Sequence, residues 1–165
     1  MDSQLSRLYN FLQSQSVLSL ATADKHGPWS APVLYAADLK DDRPTLYFLS
    51  SAASRHSQSL PHNGLAAGSI YAAYQDDWQL IKGVQMQGLI APLADPQRAQ
   101  FEVLYFSRFP EIRKIIYNPS SQQETKIAGA FKNSTYYRFS PTYIRVTDNS
   151  DAFANRQEWH FQPSD

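Results

Sequence analysis

The sequence contains no cysteine, which excludes disulfides, thiolate nucleophiles and cysteine-based zinc sites together. No sign of charge prevails, because fifteen basic and fifteen acidic side chains cancel. That balance speaks against a nucleic-acid coat or a patch for a membrane surface. No apolar run approaches the roughly 20 residues that span a bilayer. Residues Met1 to Arg7 are polar and lack the basic-then-apolar order of a signal peptide. There is no serine nucleophile elbow, no phosphate loop of the Gly-Lys-Ser type, no internal repeat and no linker. The expectation is one cytoplasmic domain over residues 1–165, with no nucleic acid, membrane or metal as partner.

What the 165 residues do contain is a globular balance, 42% hydrophobic against 18% charged, with enough length to bury a core. Leu5, Leu8, Tyr9 and Leu12 recur at helical spacing and predict a short amphipathic helix at the start. Val17 to Thr22 is β-branched and apolar and runs into the turn signal Asp24-Lys25-His26-Gly27-Pro28. Trp29 to Ala37 reads as the returning strand, Asp41 to Pro44 as a turn, and Thr45 to Leu49 as a third strand. The stretch from Ser50 to His62 then turns polar, with a helix expected from Ser54 and closed by Gly64. Leu65 to Tyr74 and Trp78 to Leu93 resume strand character, the second as one long strand or a strand bent at Gly83 and Gly88. Asp95-Pro96 is a helix start with Asp as the cap, and Phe109-Pro110 divides that helix from a shorter one over Glu111 to Tyr117. Asn118 to Ser134 is polar and receives no element. Tyr136 to Thr147 is the last strand expected, at an edge or bent by Pro141. Strands joined by short turns, with helices inserted late, predict a mainly β (α+β) fold, an antiparallel barrel with a few peripheral helices.

The stretch that points to chemistry is Leu46-Tyr47-Phe48-Leu49-Ser50-Ser51-Ala52-Ala53-Ser54-Arg55-His56. A buried strand here delivers hydroxyls, two potential cations and a helix start to one place. Hydroxyls and free backbone N–H groups donate to phosphate oxygens, and an arginine fork grips two oxygens at once. On composition alone the plainer interpretation is a serine-capped surface helix.

The ordered set of strings around this stretch changes the weighting. Leu20-Ala21-Thr22 with the Gly27 turn, Pro32-Val33-Leu34-Tyr35, Leu46-Tyr47-Phe48 followed by Ser54-Arg55-His56, and Gly83-Val84-Gln85-Met86-Gln87-Gly88 occur in sequence. Together they resemble the FMN-binding split-barrel superfamily that includes the pyridoxamine-phosphate oxidases. Arg55-His56, Ile81-Lys82-Gly83-Val84-Gln85, Arg108-Phe109-Pro110 and Thr147-Asp148-Asn149, with Phe153 nearby, look most like the YhbP-like bacterial group within it. The resemblance implies an antiparallel split β-barrel and a homodimer with FMN at the subunit interface. It implies a flavin ring along the strand Ala31 to Tyr35, with Val33, Leu34 and Tyr35 at the cofactor, and a phosphate on Ser50, Ser51, Arg55 and His56, with Ser54 also at the cofactor. Lys82 and Gln85 are implied to reach the cofactor from the long strand. It also implies an oxidoreductase for a small molecule, with a flavin carrier or sensor, or a haem-handling barrel, as alternatives.

The departures from the oxidases are as informative. Those enzymes carry Lys where this chain has His56, Arg and Lys where it has Ser30 and Tyr35, and Trp at Thr147. Asn155, Arg156 and Gln157 stand where they carry His-Asp-Arg for substrate. Vitamin B6 oxidation is therefore not expected, and no catalytic residue is assigned. Elsewhere the plainer roles are preferred: packing for Trp78 and Trp159, surface positions for His26, His62 and His160, a turn for Asp76-Asp77, and a solvated helix face for Arg108, Arg113 and Lys114.

Overall fold

In a computed structural model of the chain, residues 3–60, 64–150, 152–153 and 155–163 are described. Helix α1 (Ser3–Ser14) leads into the hairpin of β1 (Val17–Asp24) and β2 (Gly27–Lys40), and β3 (Arg43–Ser51) follows. A single turn, α2 (Arg55–Gln58), precedes β4 (Leu65–Tyr71) and β5 (Lys82–Pro92). Helices α3 (Asp95–Arg108), α4 (Pro110–Tyr117) and α5 (Gln122–Lys132) then come before β6 (Ser134–Asp148) and β7 (Arg156–His160).

The strands lie in the order β3-β2-β1-β4-β5-β6-β7, and a further β3–β6 pairing closes β1 to β6 into a ring. All pairings are antiparallel. Strand β6 gives one edge to β5 along nearly its whole length, and splits the other. Residues 134–139 of that edge pair with β3, whereas residues 143–147 pair with β7. Pro141, which has no N–H to donate, sits where the second edge changes partner. The register also shifts there, between Gln87 and Gly88 on β5. A Cβ on Gly88 would stand 2.3 Å from the carbonyl oxygen of Ser140, so the crossing requires glycine.

Strand alternation builds the core. Leu18, Leu20, Leu46, Phe48, Ile70, Val84, Phe139 and Ile144 point inward and are essentially inaccessible. Helix α1 covers one end of the ring with Leu5, Leu8, Phe11 and Leu12. A second cluster, of Phe101, Tyr105, Phe106, Phe109, Ile112 and Ile116 around Ala36, packs α3 and α4 onto the outside of the sheet. Strand β2 is therefore buried on both faces where Tyr35, Ala36 and Ala37 lie, while the outer faces of β1, β4 and β5 stay largely open. Among the described residues no helix is long and apolar enough to cross a membrane.

Gly27 ends the first hairpin turn with φ of 104°, and nothing lies within 4 Å of the position a Cβ would take. Gly27→Ala is thus a substitution limited to backbone strain. We expect it to lower unfolding free energy by about 1–3 kcal/mol in urea titration.

Several elements differ from the expectation. The helix after Ser54 ends at Ser59, whose hydroxyl donates to Asp24 at 2.7 Å. Gly64 serves instead the approach to β4, its carbonyl accepting from the Ile90 amide. Ala94, not Asp95, is the cap residue of α3, and Asp95 pairs with Arg98 in the first turn. Residues Trp78–Leu80 form a 3₁₀ turn capped by Asp77, so β5 begins only at Lys82. Helix α5 occupies the stretch given no element, started by Ser121, whose hydroxyl accepts from the Glu124 amide at 3.1 Å. The short edge strand β7 was also unexpected.

Candidate cofactor site

Strand β3 sends Leu46, Phe48 and Ser50 inward and Tyr47, Leu49 and Ser51 outward. Ser50 is the last inward residue and is 9% exposed. The chain then folds back through α2. Ser54 caps that turn, accepting from the Ser57 amide at 3.4 Å. This brings the imidazole over the strand end, with Ser50 Oγ 2.6 Å and Ser54 Oγ 3.1 Å from His56 Nε2. Ser50 and Ser54 hydroxyls are 3.1 Å apart, and Ser54 donates to Ser57 at 2.9 Å. Ser51 is exposed and holds the turn, its hydroxyl accepting from the Ala53 amide. Arg55 lays its guanidinium 4.3 Å from the ring centre of Trp29 on β2.

Ser50, Ser54, Arg55 and His56 are thus assembled as expected, and Ser57 joins them. Ser57 follows the cap residue by three positions, the spacing that signals a contact across one helical turn. A helix of four residues contributes little dipole, so the donors that count here belong to side chains. Burial holds the His56 pKa below its usual value. A phosphate dianion at Nε2 would act in the opposite direction by favouring the imidazolium.

The neighbouring strand corrects part of the expected set. Val33 and Tyr35 point into the barrel, 7% and 1% exposed. The Tyr35 hydroxyl donates to the Leu12 carbonyl at 2.7 Å, and burial pushes its pKa up. Their side chains belong to the core, as the two-residue period of a strand requires once Leu34 faces out. Leu34 is 39% exposed and lies opposite Val17, itself 47% exposed.

Lys82 and Gln85 are separated from the cluster and from one another. Three positions apart on β5, they take opposite faces. Lys82 pairs with Asp148 at 2.6 Å. Burial alone would raise the Asp148 pKa, but hydrogen bonds from Lys82 and Ser150 outweigh it and hold the carboxyl below its ordinary value. Ser50 is opposite Thr135 at the start of β6, whereas Lys82 is opposite Asp148 at its end. The two are at opposite ends of the barrel within one protomer. Lys82 lines a separate cavity of about 260 Å³ with Phe11, Asp148, Asn155, Gln157 and Trp159. Gln85 is exposed on the outer face, between Ser69 and Arg145.

Arg108 departs from the solvated helix face expected of it: half-buried, it donates to the Gln15 carbonyl and the Ser16 hydroxyl, pinning α3 to the start of β1. Other residues take the plainer roles. Asp77 caps the 3₁₀ turn, and Trp159 packs against the barrel core. Trp78 is 51% exposed and meets Phe153 edge to face. His26 and His160 are exposed, and His62 lies outside the described residues. Among the described residues no cluster of acids and histidines is placed to hold a metal ion.

No family model matches the chain. Its homologues are UPF0306 proteins: one from Klebsiella pneumoniae is 24% identical over 155 residues, covering 94% of this chain and 92% of its own. Among solved structures, a haem-binding protein from Mycobacterium smegmatis superposes with a TM-score of 0.68 at 17% identity. That match covers 97% of this chain and 59% of the longer one. A FAD-binding protein from Mesorhizobium loti superposes with a TM-score of 0.62 at 16% identity, over 88% of this chain and 94% of the other. The likenesses show the split-barrel fold expected from the ordered sequence strings.

Proposed function

We propose that this UPF0306-like split barrel binds FMN and works as a cytoplasmic flavin-dependent oxidoreductase on a small organic molecule. The observation that carries the proposal is the convergence of Ser50, Ser54 and His56 at the end of β3, with Arg55 beside them. Hydroxyls and an imidazole within 3.1 Å of one another already form a polar cradle, and an anion would exchange those mutual contacts for its own oxygens. Ser51, exposed on the adjacent outward face, adds a fifth donor. Pro32, Leu34 and Val17 expose an apolar strip on the outward face of β1 and β2, on which a flavin ring would lie. The FAD-binding neighbour supports a flavin over other anions.

When bound, FMN supplies reversible electron transfer, and the protein has only to hold, shield and orient it. Arg55 would leave the Trp29 face to fork onto the phosphate. Leu34 and Val17 would keep water from one face of the ring. Nothing at Ser30 or at the buried Tyr35 supplies the cations that the pyridoxamine-phosphate oxidases place there, so another substrate is proposed.

A homodimer is part of the proposal. Leu34, Val17 and Tyr71 expose apolar surface on the outer face of β2, β1 and β4, and a second copy would cover it. A second copy would also be the source of Lys82 or Gln85 near the flavin, which one protomer cannot provide; as they take opposite faces of β5, one of the two would reach it. Sedimentation at micromolar concentration is expected to return a dimer, and a monomer would remove Lys82 and Gln85 from the site.

Two measurements test the activity. Anaerobic addition of NADH or NADPH to the flavin-loaded protein is expected to bleach its colour. Persistent colour with both donors would favour a carrier or sensor. Haem, which the Mycobacterium smegmatis neighbour binds, needs an axial ligand. Among the described residues His56 is the imidazole in a partly buried polar setting, and its Nε2 is already engaged by two serines.

The pH dependence follows from His56. Its folded pKa is depressed below the usual value in the unliganded protein, so its contribution to stability is present above about pH 6.5 and is lost as pH falls below that. Phosphate favours the protonated ring, so FMN binding should take up a proton. Affinity is expected to rise as pH falls from about 7.5 to 6.5. Equal affinity across that window, or the same pH slope in His56→Gln, would show that the ring does not meet the phosphate.

A further inference from the structure

Between α3 and the outer face of β2, β3 and β6 runs a groove of about 820 Å³, within the range that holds small organic ligands. None of Ser50, Ser54, Arg55 or His56 lines it. Strand pairing composes its floor. Tyr47 lies directly opposite Arg138 across β3 and β6, and Asp38 opposite Thr45 across β2 and β3. The period of two then puts Asp38, Tyr47 and Arg138 together on the outward face. Asp38 and Arg138 both act on the Tyr47 hydroxyl, whose pKa is raised by burial first and by Asp38 second, with Arg138 opposing. The phenol is therefore a neutral donor at physiological pH. Arg138 has no ion pair or side-chain hydrogen bond among the described residues. The far wall is α3, which presents Leu104 and Val103 between the polar Gln97, Gln100 and Ser107, with Phe101 buried behind them. Val103 is 72% exposed at the rim of the groove.

We propose that this groove is a second binding site, for a small organic monocarboxylate whose carboxylate meets Arg138 and Tyr47 and whose apolar body lies on Leu104 and Val103. The planar guanidinium fork matches a carboxylate in geometry. Three cationic and two acidic side chains line the groove, leaving one positive charge to be matched. Asp38 sets the selectivity. Its carboxylate beside Tyr47 repels a second negative charge, so a monoanion is admitted and a phosphate dianion is disfavoured. The groove thus differs in chemistry from the hydroxyl-rich cradle at the end of β3.

The test uses hexanoate, benzoate and inorganic phosphate as probes, titrated into the full chain while backbone amide NMR shifts are followed. Hexanoate and benzoate are expected to shift amides at Tyr47, Leu104 and Arg138, and phosphate is not. Arg138→Gln should weaken both carboxylates by about tenfold or more, the loss expected for one charge-assisted pair. Val103→Asp, at an exposed position, should weaken them as well, and FMN affinity should be the same in both variants. The proposal is overturned if neither carboxylate shifts these amides, if phosphate shifts them equally, or if Arg138→Gln leaves carboxylate affinity unchanged.

Discussion

Phe139→Ala is expected to lower the unfolding free energy by about 3–5 kcal/mol, the range for deleting a buried phenyl group. Phe139 is fully inaccessible and lies where the barrel closes, opposite Leu46 of β3 on one side and Ile90 of β5 on the other. Gly68, with its hypothetical Cβ 3.5 Å from the Phe139 ring, has no side chain to offer as a filler. The partners cannot collapse inward either, because each is fixed in a ladder of main-chain hydrogen bonds. Since whole domains are stable by only about 5–15 kcal/mol, the variant should lose a large share of its stability. Urea unfolding followed by far-UV circular dichroism measures the loss. A decrease below about 1 kcal/mol would be that of a surface site, and would contradict closure through β6.

The second large effect concerns the cofactor. Arg55→Ala is expected to weaken FMN by roughly 10–100-fold, since a charge-assisted hydrogen bond contributes about 1.5–3 kcal/mol. Arg55 now rests on Trp29 at 4.3 Å and its side chain is exposed, so the change should leave folding intact. Riboflavin, which lacks the phosphate, separates a contact to the phosphate from a general disturbance. Its affinity should be the same for Arg55→Ala and the parent chain. If riboflavin weakens as much as FMN, Arg55 acts on the ring or on the shape of the site.

The parts legible in the sequence are those governed by local chemistry. Alternation in Val17 to Thr22 and Thr45 to Leu49 located β1 and β3, because each buries one face. The Gly27 turn and the Ser54 cap were legible because each needs a particular residue type. Pro141 was legible as a bend, though not as the point where β6 changes partner, which depends on two strands far away in sequence. Helix α5 was missed in a polar stretch that buries Ala128 as the one fully covered residue of that helix. The spacing of Ser121 and Glu124, a capping signature, was the available signal. Strand β7 offers only the inward-facing Gln157 and Trp159, too few positions to show a period.

Within the site, the same distinction holds. Ser50, Ser54 and His56 are within six positions of one another and meet through one local turn. Lys82 was placed with them only by the resemblance, and its position depends on which end of β6 it faces. Val33 and Tyr35 were grouped with Leu34 although a strand cannot present three consecutive side chains to one ligand. The Arg138 groove was invisible in sequence, since Asp38, Tyr47 and Arg138 come from three strands and mean nothing apart.

The measurement that bears most directly on the central claim is the visible absorption spectrum of the protein as purified, repeated after equilibration with FMN and removal of free ligand. The account predicts a yellow protein with the two-band spectrum of a flavin, and FMN in the supernatant after denaturation. A colourless protein that retains no FMN after equilibration would contradict it, and a haem spectrum in place of a flavin one would do the same.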